Sequence, residues 1–83
     1  MEIRAEMVST VYQVLSVEGD LVAAGETLIV LESMKMEIPV EAPAAGRVAK
    51  ILVRPGDVVE EGAVVALLED DGAGPSDQEK IAG

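Results

Sequence analysis

The chain has no cysteine and no histidine, a single tyrosine as its only aromatic residue, and six lysines and arginines against sixteen aspartates and glutamates. Each shortage excludes a class of function. Without His or Cys there is no disulfide, no thiol nucleophile, no imidazole general base and no zinc site of the usual kinds. Most hydrolase-type constellations are thereby removed. The lack of Cys suits a reducing cytoplasm, which is where the chain is expected to reside. Six cations cannot build the basic face that phosphates require, and at a net charge of −10 nucleic acid is not an expected partner. Long apolar runs are missing too: the longest, Ala63 to Leu68, is far too short to span a bilayer. Met1-Glu2-Ile3-Arg4 likewise lacks a basic region followed by an apolar stretch. No membrane association is expected. The acids make a solvated, self-repelling surface that keeps the isolated domain monomeric.

What is present is organised by duplication. At an offset of 37 residues, the distance from Gly19 to Gly56, the segment Ala5–Glu32 matches Ala42–Glu69 without gaps. Identities fall at Ala5/Ala42, Val11/Val48, Leu15/Leu52, Gly19/Gly56, Asp20/Asp57, Val22/Val59, Gly25/Gly62, Leu31/Leu68 and Glu32/Glu69. Both copies of Gly-Asp-apolar-Val-x-x-Gly are kept, so the halves are expected to be structural copies. The 83 residues suffice for one small domain with a net stability of about 3–5 kcal/mol.

Within each half the period is that of strands. Glu2 to Met7 alternates polar and apolar, as does Pro39 to Ala42, giving each half a first strand with one buried face. Val11–Val17 and Val48–Val53 are rich in β-branched residues and read as second strands, although their imperfect alternation leaves the faces unassigned. The Gly-Asp and x-x-Gly elements supply positive φ at two closely spaced turns, with room for only a very short third strand. Leu28–Glu32 and Val64–Glu69 make fourth, largely apolar strands. The expected fold is all-β: a flattened barrel or sandwich of two four-stranded antiparallel sheets with pseudo-twofold symmetry, a barrel-sandwich hybrid spanning residues 1–70. Residues 71–83 have almost nothing to bury and are expected to be a disordered tail.

The duplication isolates Ser33-Met34-Lys35-Met36. The first half should end near Glu32-Ser33, the mate of Glu69-Asp70, and the second has begun by Ile38. Ser33 to Glu37 must therefore reverse the chain in a tight hairpin centred close to Met34-Lys35. Such turns favour Asn-Gly or Asp-Gly, because their central residues need positive φ. Neither residue here suits the task, and a local rule broken in this way marks a place where function overrides propensity. A catalytic amine needs burial or a cationic neighbour, and a tip flanked by Glu32 and Glu37 offers neither. An acceptor of an acyl group activated elsewhere needs only exposure and a recognisable frame, and two methionines give an adaptable apolar contact. The alternative for the triplet is an ordinary surface lysine with methionines folded back onto the sheet. Elsewhere the bland readings suffice: the loop glycines form turns, Asp20 and Asp57 cap matching turns, Pro39, Pro43 and Pro55 occupy edges or turns, and Tyr12 packs.

Glu32-Ser33-Met34-Lys35-Met36-Glu37 resembles the biotin attachment motif of the biotinyl/lipoyl domain family. The likeness extends over about Ile3 to Glu69, including both Gly-Asp turns and Ala-Pro-x-x-Gly at Ala42 to Gly46. It implies a non-catalytic carrier. Biotin protein ligase would join biotin to Lys35 through biotinoyl-AMP, reading a frame of Glu32, Ser33, Met34, Met36 and Glu37. The biotin would then carry carboxylate between biotin carboxylase and carboxyltransferase sites. Lipoate on the same Lys35 is the alternative within the family, as is an unmodified interaction module outside it. Lipoyl domains usually place Asp before and Ala after the lysine, whereas here both neighbours are Met. Leu15 to Leu21 passes without the protruding thumb of many bacterial acetyl-CoA carboxylase carriers, and no Ala/Pro-rich linker precedes the first strand. The chain most resembles short single-domain attachment proteins, and an excised carboxylase domain would look much the same.

Overall fold

In the computed structural model, which describes residues 1–70, every regular element is a strand. In chain order these are β1 (Glu2–Arg4), β2 (Ser9–Val14), β3 (Leu21–Val22), β4 (Thr27–Ser33), β5 (Met36–Glu41), β6 (Gly46–Ile51), β7 (Val58–Val59) and β8 (Val64–Asp70). They form two antiparallel four-stranded sheets of order β1-β8-β6-β3 and β5-β4-β2-β7. This is the expected sandwich. The expected tail at 71–83 lies outside the described residues.

The duplication is reproduced bond for bond. Gly19 N–H donates to Val48 O at 2.7 Å, and Gly56 N–H donates to Val11 O at 2.8 Å. Val48 N–H reaches Asp20 O while Val11 N–H reaches Asp57 O, both at 2.8 Å. The short third strand of each half thus pairs with the second strand of the other half, Leu21–Val22 along Arg47–Gly46 and Val58–Val59 along Thr10–Ser9. Neither half completes a sheet by itself.

This exchange corrects the expected strand ends. The second strands begin at Ser9 and Gly46, earlier than Val11 and Val48, because those residues pair with the other half. They end at Val14 and Ile51 because the chain beyond peels off toward the Gly-Asp turns, leaving Leu15 and Leu52 bonded to the carbonyls of Leu28 and Val65. β1 stops at Arg4, short of Met7, since Ala5 bonds Ala63 outside the ladder.

Four register shifts at equivalent positions account for the broken alternation. β2 slips against β4 between Val11 and Gln13, and β6 against β8 between Val48 and Lys50. The bulged residues are Tyr12 and Ala49. The other two slips let consecutive residues turn inward, so Leu28-Ile29 and Val65-Ala66 are all buried. Tyr12 accordingly is not a packing residue: next after buried Val11, it faces outward by alternation and is 49% exposed, so it lies outside the sandwich core, and the slip leaves Gln13 outward as well. The core is aliphatic, built on Val11, Leu28, Ile29, Leu31, Val48, Val65 and Leu68.

The turns behave as the repeat suggests. Asp20 and Asp57 each accept a backbone N–H through Oδ2, from Val17 and Arg54 respectively, both at 2.9 Å. Gly19 and Gly56, one residue earlier, have φ of 97° and 96°, which side chains tolerate poorly.

Candidate functional site

β4 and β5 form a ladder that runs without interruption from Val30↔Pro39 through Leu31↔Ile38 and Glu32↔Glu37 to Ser33↔Met36. Only Met34 and Lys35 remain to reverse the chain. Both are left-handed, with φ of 52° and 66°. Two central residues of positive φ define the primed hairpin turn whose twist matches that of its strands. They are also the only non-glycine residues of positive φ among the described residues. A side chain in this region crowds its own carbonyl at a cost of roughly 1–2 kcal/mol per residue.

The sequence-predicted residues all gather at this tip. Lys35 is exposed and makes no ion pair among the described residues. Met34 is 89% exposed and Met36 57%, so the methionines stand away from the sheet. Ser33, half-buried, pairs with Met36 at the last rung. Glu32 and Glu37 face each other directly across the ladder, both exposed. Like charges in that position destabilise a sheet. The tip therefore combines two locally unfavourable choices, a strained turn and an anionic rung, around one displayed amine.

The charge asymmetry extends over the whole hairpin sheet. Its four strands carry Glu32, Glu37 and Glu41 but no Lys or Arg. The strand cations Arg4, Arg47 and Lys50 lie in the other sheet, where Arg4 bonds Gly62 O and Glu2. Sequence patterning gave no sign of this segregation, because it depends on which strands share a sheet.

One cleft adjoins the site. It encloses about 360 Å³ between the free edges of β1 and β5, with Ile3, Leu31 and Ile38 among its apolar walls and Arg4, Glu6 and Glu41 among its charged ones. Its walls come from both halves, so only the pairing of equivalent edges would have located it.

A family model described as biotin-requiring enzyme matches residues 1–68. The chain is 48% identical over 67 residues to the biotinylated protein TB7.3 homolog of Mycobacterium leprae, covering 81% of this chain and 94% of that protein. It is 36% identical over 70 residues to the biotin/lipoyl attachment protein of Bacillus subtilis, covering 84% and 96% of the two. Among solved structures, a single-chain, multi-domain long-chain acyl-CoA carboxylase superposes with a TM-score of 0.79 at 38% identity. The match covers 84% of this chain and 7% of that far longer one.

Proposed function

Because this chain belongs to the biotin/lipoyl attachment domain family, we propose that it is a biotin carboxyl carrier whose cofactor is joined to Lys35. The observation that carries the reading is the two-residue hairpin, which spends a strained turn on displaying one unpaired amine between two exposed methionines. The residues present fit a covalently held acyl group. Lys35 Nζ is open to an incoming activated acyl carbon, and no neighbouring side chain competes for it by ion pairing among the described residues.

Bound biotin supplies a ureido nitrogen that holds a carboxylate. The protein's own part is mechanical and electrostatic. Lys35 is the amide anchor, and the β4–β5 ladder fixes where that anchor stands. Met34 and Met36 offer a biotin protein ligase an apolar contact that adapts to its pocket, while Ser33 and the Glu32/Glu37 rung complete the frame. The same acidic sheet suits visits to biotin carboxylase and carboxyltransferase sites, which must be cationic where they bind anionic substrates. The cytoplasm is the proposed setting. Biotin is favoured over lipoate by the methionine on each side of Lys35 and by similarity to a biotinylated protein and to an acyl-CoA carboxylase.

Peptide mass spectrometry of the natively expressed chain tests the proposal. A biotin increment on Lys35, with streptavidin capture that Lys35→Arg abolishes, is the expected result. A lipoyl increment on Lys35 would replace the cofactor, and an unmodified lysine or an adduct on Lys50 would overturn the assignment.

A further inference from the structure

The attachment frame contains an oxidisable element. Of the methionines, Met34 at 89% and Met36 at 57% exposure are the most open, ahead of Met1 and Met7 at 52% and 42%. Met34 occupies the first left-handed turn position, beyond the last rung of the ladder, and has no cross-strand partner. Met36 lies on the other side of Lys35, paired with Ser33. The two most exposed methionines are thus the two that flank the acceptor lysine.

We propose that Met34, and after it Met36, is a site of reversible oxidation by hydroperoxides, and that the sulfoxide blocks loading of Lys35. The proposal rests on the attachment reading of this tip. The thioether lone pair attacks one oxygen of the peroxide, the O–O bond breaks, and one oxygen remains on sulfur as the sulfoxide. Hydrogen peroxide leaves as water. Sulfur is oxidised by two electrons and the peroxide is reduced by two. Thiol-dependent methionine sulfoxide reductases reverse the step. The consequence follows from polarity: an apolar, adaptable side chain becomes a polar, chiral one, and an oxygen pressed into an apolar ligase contact without a partner is expected to slow loading about tenfold or more.

The test uses the intact, unloaded chain. It is treated with limiting hydrogen peroxide, mapped by peptide mass spectrometry, and presented to purified biotin protein ligase with ATP and biotin. Expected are sulfoxide on Met34 before Met36 and on both before Met7, loading of Lys35 slowed at least about tenfold, and recovery after methionine sulfoxide reductase. In Met34→Leu and the Met34→Leu/Met36→Leu pair, loading after peroxide is compared with the same variant's loading before it, and that ratio should climb toward one. Oxidised chain that loads at the unoxidised rate, or Met7 oxidised before Met34, overturns the inference while leaving the attachment reading intact. An untreated chain that accepts no biotin overturns both.

Discussion

Replacing Met34-Lys35 by Asn-Gly should make the domain more stable while removing the proposed attachment lysine. The two residues hold φ of 52° and 66° in a turn that joins Ser33 directly to Met36. Left-handed backbone costs a side-chain-bearing residue roughly 1–2 kcal/mol. Asparagine adopts that region more readily and glycine freely, though glycine gives back about 0.5–1 kcal/mol through the entropy of the unfolded chain. Little packing is lost, since both side chains are exposed. The net gain comes to about 1–2 kcal/mol, and for a domain of this size each kcal/mol raises Tm by about 4–8 °C. Thermal and urea denaturation of the unloaded proteins measure it, with Lys35→Arg as the control that keeps the turn's side chains and should stay within about 0.5 kcal/mol of the parent. If the Asn-Gly variant is no more stable than the parent, the turn carries no strain. The claim that the tip gives up stability to display its lysine is then wrong.

Two further outcomes test the framework around the tip. A Cβ placed on Gly46 would lie 2.3 Å from the backbone oxygen of Glu69; that atom cannot rotate away, so Gly46→Ala should push β6 from β8 and cost about 2–4 kcal/mol. Gly25→Ala, where φ is 86° but no atom lies within 4 Å, should cost only about 1–2 kcal/mol, and urea midpoints in the reverse order would refute the comparison. Asp20→Ala and Asp57→Ala each remove one side-chain acceptor from equivalent turns, so each should cost about 1 kcal/mol and the two losses should agree within about 0.5 kcal/mol.

Much of this was legible in the sequence because the duplication converts local ambiguity into a constraint. Met34-Lys35 does not look like a turn, yet the equivalence of Glu32 with Glu69 leaves the chain nowhere else to reverse. Asp20 and Asp57 declared themselves as caps for the same reason. What stayed hidden depends on partners outside the local window. The starts of β2 and β6 at Ser9 and Gly46 follow from pairing with the other half. Tyr12 could be given no face from the sequence, because the alternation of its segment is imperfect; burial of Ser9 and Val11 sets Tyr12 outward, and the bulge leaves Gln13 outward beside it. The charge segregation between the sheets is invisible along the chain, since it depends on Arg4, Arg47 and Lys50 being carried by strands of the other sheet.

The exchange of third strands says something about how such a molecule is put together. A single half, taken alone, holds a second strand with no β3-type mate and a third strand with nothing to pair against. Two copies satisfy each other, so residues 1–70 have the architecture of a strand-swapped dimer of halves joined in one chain. Fusion treats its two equivalent ends differently. At one, Ser33 is stitched through Met34 and Lys35 into Met36; at the other, β8 runs to Asp70, where the described residues end. Lys35 therefore sits on the seam that joins the two halves, so under the proposed attachment a domain built from two like halves would carry a single arm.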